Sequence, residues 1–165
     1  MKKAKYPLEQ VLHVKRDRVE KAEKVVEEKK RALKVEQEKL RKAEEERDAV
    51  KKHRDEKLLQ LRKAMDEGTT SDEVLQMKAY LKVVEARLIK EEEKVKKQQE
   101  MVKKAEKELE NAQEDLRQKR LEEEKIKLHR EEWEKQMKKE RADFEAKEQD
   151  ELGQLMHESQ KRKQR

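Results

Sequence analysis

Stepping by seven residues from Val74 meets Leu81, Leu88, Val95, Val102, Leu109, Leu116, Glu123, Arg130, Met137 and Phe144, and nine of these eleven positions are apolar. Only 32% of the chain is apolar on the broadest count, so the row is not a product of composition. A companion row offset by three, Met77, Val84, Glu91, Gln98, Ala105, Ala112, Lys119, Ile126, Trp133 and Glu140, is apolar at six of its ten positions. Two rows with this spacing form the a/d seam of a coiled coil. Holding one phase over ten heptads implies a left-handed supercoil.

The first half carries the same device more weakly. Leu12, Val19, Val26, Leu33, Leu40, Arg47, Arg54 and Leu61 fall seven apart, and Leu8, Ala22, Ala43, Val50 and Ala64 belong to the offset row among several charged residues. Small residues there let a partner helix come close, and lysines can lay their stems along the seam with their heads in water. Around Leu58, Leu61 and Met65 the apolar positions slip forward, so the seam is expected to drift near the end of the first helix.

Asp66-Glu67-Gly68-Thr69-Thr70-Ser71-Asp72-Glu73 is the turn-like stretch of the interior. Gly68 suits the left-handed residue that closes a helix, and Thr70 with Glu73 has the spacing of a capping box for the next. Pro7 suits a first helical turn, where its missing N–H goes unnoticed. The expected fold is all-α: a long antiparallel coiled-coil hairpin with the second helix longer than the first. Residues 1–6 form a basic N-terminal tail, 7–66 helix one, 67–70 the turn, 71–156 helix two and 157–165 a basic C-terminal tail. With 53% of residues charged, 2% aromatic, two glycines and one proline, no sheet, barrel or layered domain is available.

Three surfaces stand out. Folding back at the turn puts Leu8 beside about Arg130, so helix two should overhang beyond about residue 130 and expose Trp133, Met137 and Phe144 on one seam. Large apolar side chains in such a row suit a protein interface. Near the turn, Leu75, Ala79, Val83 and Ala86 lie roughly 100–180° round the helix from the main seam, with Tyr80 and Ile89 at the edges. This second stripe needs a partner of its own. The charge is segregated too: Lys2, Lys3 and Lys5 with Lys161, Arg162, Lys163 and Arg165 account for the whole +6, leaving residues 6–160 at about −1. Basic ends attract an acidic protein surface, acidic lipid or nucleic acid. Nucleic acid is disfavoured, because the ends lack interleaved aromatics and the hairpin has no groove-inserting basic region.

Catalysis has little to build on. Gly68 and Gly153 are too far apart to cradle a phosphate, the serines are Ser71 and Ser159, and there is no cysteine. None of His13, His53, His129 and His157 has a glutamate three residues before it, so no bundle-type metal site is written. The expectation is a non-enzymatic protein with no cofactor and no small-molecule substrate. No apolar run approaches the roughly 20 residues of a membrane span and no signal-peptide core follows the basic start, so a cytosolic protein is expected.

The start Tyr6-Pro7-Leu8-Glu9-Gln10-Val11-Leu12-His13-Val14-Lys15-Arg16, one turn near residue 68 and a longer second helix resemble the FliJ/YscO family of type III secretion and flagellar export proteins, in its chlamydial YscO-like branch. The resemblance implies an antiparallel coiled-coil stalk in the bacterial cytoplasm, peripheral to the inner-membrane apparatus. Its open end would meet a hexameric secretion ATPase, its body an export-gate protein, with secretion chaperones and a needle-length regulator as further partners. Carried over residue by residue, Pro7, Leu8, Leu12 and Arg16 belong to the ATPase-facing end. Leu75, Ala79, Tyr80 and Val83 belong to the stretch used toward the gate, and Ala86 extends it by spacing. Trp133 and the tail Lys161–Arg165 have no counterpart in the family's pattern. A structural or tethering coiled coil, single or dimeric, with basic tails docked on nucleic acid or acidic membrane is the alternative, and a chaperone escort using the seam beyond residue 130 is a third reading.

Overall fold

The computed structural model describes residues 5–163, and among them are two helices and no strand. Helix α1 runs Glu9–Glu67 and α2 runs Ser71–Lys163, so the chain is a two-helix hairpin with the longer helix second. Two compact units divide it. A terminal unit comprises Met1–Ala22 with Leu116–Arg165, and a turn unit comprises Glu23–Asp115.

In the turn unit, Gly68 takes φ +83°, the left-handed conformation in which a β-carbon is strained. The Thr69 N–H then donates to the Ala64 carbonyl at 3.2 Å, the six-to-one bond that closes a helix. Two residues later α2 opens on a capping box. The Glu73 N–H donates to Thr70 Oγ1 at 3.4 Å, while the Glu73 carboxylate accepts from the Thr69 hydroxyl and the Thr70 backbone N–H. Those donors, Thr69 first, hold the Glu73 carboxyl below the usual carboxylate range.

Burial follows the two heptad rows. Within α2, every residue of the rows from Val74 to Met137 is buried or half-buried, and Glu108 is the one other described α2 residue that is not exposed. Within α1 both rows are covered from Leu12 to Ala64, including the charged members Lys15, Lys29, Glu36, Arg47, Arg54 and Lys57. The expected drift near the end of α1 is confined to Leu58, half-buried beside the row: Leu61 is buried and Ala64 half-buried, whereas Leu59 and Met65 are exposed. The regular heptad outranks the local apolar cluster, because a partner helix covers only one stripe.

Charged seam members are served across the pair. In the terminal unit Lys15 Nζ donates to Glu122 at 2.5 Å and Arg16 pairs with Glu123 at 3.6 Å. In the turn unit Lys29 reaches Glu108 at 2.8 Å, and Gln98 donates to the Glu36 carboxylate at 2.6 Å and its backbone carbonyl at 3.0 Å. Hydrogen bonds from Lys15 and Lys29 hold Glu122 and Glu108 below the ordinary carboxylate range. Each lysine buries its stem in the seam and spends its charge at the rim.

The ends depart from expectation. Helix α1 starts at Glu9, with Pro7 and Leu8 in a turn that Glu9 closes by donating its N–H to the Tyr6 carbonyl at 3.3 Å. Helix α2 continues through 157–163, where a tail was expected, and its basic last turn, Lys161, Arg162 and Lys163, faces the negative end of the helix dipole. Of the expected basic tails, residues 1–4 with Lys2 and Lys3, and Gln164 with Arg165, lie outside the described residues.

Candidate functional site

The terminal unit gathers an aromatic cluster that the periodicity did not announce. Tyr6, only 6% exposed, shares a hydrogen bond at 2.6 Å between its hydroxyl and His129 Nδ1. Its ring meets Trp133 edge-on, with centroids 5.5 Å apart and planes at 61°. Arg130, next to His129 in the chain, donates from Nη1 to Glu9 at 3.1 Å. These contacts correct the reading of Trp133 as part of an exposed seam: the segment before α1 folds onto it, and both Trp133 and Met137 are half-buried. Phe144 is exposed, as are all residues from Lys138 to Lys163.

The expected ATPase-facing residues separate by burial. Pro7 is exposed, Leu8 half-buried, and Arg16 exposed with a loose ion pair to Glu123. Leu12, at 1% exposure, is sealed in the seam and holds α1 to α2; it cannot itself meet a partner.

In the turn unit, Leu75, Ala79, Tyr80, Val83 and Ala86 are all exposed, with Leu75 at 65% and Val83 at 66%. They lie outside the covered rows because α1 takes one stripe of α2 and leaves the other to water. Tyr80 is held in place rather than free. Its hydroxyl and His53 Nε2 share a hydrogen bond at 2.9 Å, the rings meet edge-on at 6.0 Å, and Lys57 Nζ lies 5.7 Å from the Tyr80 ring centre. Beside it runs a shallow groove lined by Glu46, Ala49, Val50 and His53 from α1 and by Tyr80, Val83, Val84, Arg87 and Glu91 from α2. Glu91 is buried at a seam position: Oε1 accepts from Lys94 at 3.0 Å, whereas Oε2 has no hydrogen-bond partner. The apolar half of this surface was readable from spacing; His53 and Lys57 were not, because only the pairing of the helices brings them to Tyr80.

Among the described residues no group of histidines and acids is placed to hold a metal ion, and no helix is long and apolar enough to cross a membrane. The geometry is that of protein contact surfaces.

A YscO-like protein family matches residues 3–163. The solved YscO homolog CT670 from Chlamydia trachomatis is 58% identical, with a TM-score of 0.91 over 96% of this chain and 98% of that one. The chain belongs to the YscO-like family. As a YscO-like protein it is a helical-hairpin component associated with type III secretion, not a member of a known enzyme class. A chain of the Chlamydia pneumoniae CdsV and CdsO complex is 61% identical to the YscO-like sequence, covering 51% of it and 98% of the complex's chain, with a TM-score of 0.49. Comparison with curated proteins returns no match.

Proposed function

We propose that this YscO-like protein is a non-enzymatic central-stalk component that couples a hexameric secretion ATPase to a protein-export gate. The observation that carries the reading is the exposed apolar stripe on α2. Leu75, Ala79, Tyr80, Val83 and Ala86 lie outside the seam, and a soluble hairpin gains nothing by showing them to water. We assign this stripe to the gate. The terminal unit, with Pro7, Leu8 and Arg16 at its accessible rim, is assigned to the ATPase. Basic Lys161, Arg162 and Lys163 add charge steering there. The protein would work in the bacterial cytoplasm at the inner face of the apparatus, and secretion chaperones and a needle-length regulator would be further callers on its exposed surfaces.

The gate arm is tested by titrating the purified chain into the soluble domain of the cognate gate protein, starting with the counterpart of CdsV. Val83→Asp is expected to weaken binding by about tenfold or more, since it loses an apolar contact and buries a charge. Its melting curve should change little, because residue 83 is 66% exposed and lies outside the covered rows. Unchanged affinity would sink the assignment. For the other arm, full-length protein should raise ATP turnover by the cognate hexamer, and deleting residues 2–16 should remove that rise. A tethering coiled coil that docks on nucleic acid through its basic last turn predicts instead an affinity falling steeply with salt.

A further inference from the structure

Beyond Phe144, α2 changes the face it presents. Continuing the seam by heptads meets Lys147, Glu151, Gln154, Glu158 and Lys161, none of them apolar, so the stripe that α1 covers has no continuation. A different row takes over: Ala142, Ala146, Gln149, Gly153, Met156 and Gln160 follow at alternating intervals of four and three. That spacing puts them on one side of a helix, roughly 180° from the old seam at about 100° per residue. None of the six is charged, in a chain where 53% of residues are.

Gly153 marks the middle of that row. Its φ is not positive, and a β-carbon there would meet nothing within 4 Å. Neither backbone geometry nor packing within the chain calls for glycine, which costs a helix interior about 1 kcal/mol relative to alanine. Close approach of another backbone is the remaining reason for it. Ala146, one heptad earlier, is small as well. The charges beside the row are sorted along its length. Residues 142–152 carry five acids against Lys147, and residues 153–163 carry Lys161, Arg162 and Lys163 against Glu158.

We propose that this row is a self-association face, on which two copies of the chain pair antiparallel through residues 142–163 and cross at Gly153. Charge dictates the sense of the pairing. A parallel pair sets acid on acid and base on base, whereas an antiparallel pair lays each acidic segment along the basic segment of the second copy. With Gly153 facing Gly153, Asp143 comes beside Lys161 of the second copy on one flank and Glu145 beside its Lys163 on the other. The two-fold symmetry makes each contact twice. Met156, 65% exposed, and Leu152, 59% exposed, lose water on pairing. So short a contact is weak and reversible, and it leaves the gate stripe of the turn unit uncovered.

Sedimentation equilibrium of the full-length chain over a wide concentration range tests this without any secretion partner, so its result stands apart from the stalk reading. The average mass should climb from one chain toward two. Lys161→Glu with Lys163→Glu, and separately Asp143→Lys with Glu145→Lys, should each weaken association by about tenfold or more, since each reverses four contacts of the symmetric pair. Mixing the two charge-reversed proteins should restore it, because every acidic site of one then meets a basic site of the other. Circular dichroism on each variant separates lost pairing from lost helix. A one-chain mass at every concentration, association that both reversed proteins retain, or a mixture that stays monomeric while both variants keep their helix would each overturn the proposal.

Discussion

Replacing Tyr6 by alanine removes the clasp that holds the segment before α1 onto α2. The side chain is 6% exposed, bonded to His129 at 2.6 Å and edge-on to Trp133 at 5.5 Å. Burial of an aromatic of this size contributes about 2–3 kcal/mol, the ring pair about 1 kcal/mol and the hydrogen bond about 1 kcal/mol. The total, about 4–5 kcal/mol, exceeds what a segment outside the helix needs to let go, so the protein should answer by local release, not by global unfolding. Trp133 is the only tryptophan and reports the event directly. In Tyr6→Ala its emission should shift to the red and its quenching by acrylamide should rise toward that of exposed indole, with the main thermal transition changed little. Tyr6→Phe keeps the ring contact and should lose only the hydrogen-bond share. If Tyr6→Ala leaves Trp133 emission and quenching as in the parent protein, the clasp does not exist and the reasoning fails.

The two glycines should behave oppositely. Gly68→Ala forces a β-carbon into a left-handed residue and should cost about 1 kcal/mol in denaturant melts, with Gly68→Asn costing less. Gly153→Ala should raise helicity and stabilise its segment by about 0.5–1 kcal/mol. At the start of α2, Thr70→Ala should cost about 1 kcal/mol as a lost cap. Glu73 titrates lower in the folded than in the unfolded chain, so its stabilisation is present above the unfolded value and is lost as pH falls through the folded one. Glu73→Gln should therefore be less stable than the parent near neutrality, and the gap should close in acid. A gap that persists below both values would contradict the capping-box assignment.

How much of this was legible depends on the range over which each signal acts. The seam was readable because a heptad repeat is a local rule enforced many times over, and Gly68 and Thr70 because turn chemistry is written in adjacent residues. The C-terminal extent of α2 was misjudged at 157–163, where basic residues look like a tail but complement a helix end. Tyr6 stands outside any repeat, and its contact with Trp133 joins residues far apart in the chain, so no period could point to it. The same holds for His53 beside Tyr80. Leu12 was read as a partner contact on resemblance, although its place in the heptad row already favoured burial.

The charged residues along the seam bear on motion as well as on stability. Sliding one helix past the other has no shallow intermediate stops, because the next alignment that keeps the heptads in phase lies seven residues, or about 10 Å, away. One such step would bring Lys29 opposite Met101 while Lys15 meets Asp115, and the opposite step would bring Lys15 opposite His129 while Lys29 meets Asp115, so each step strips one of the two lysines of its acid. Heptad phase, more than any single ion pair, makes the helix pair a latch and not a rail. A pull on one helix is resisted by the other until a whole heptad of seam contacts gives way at once.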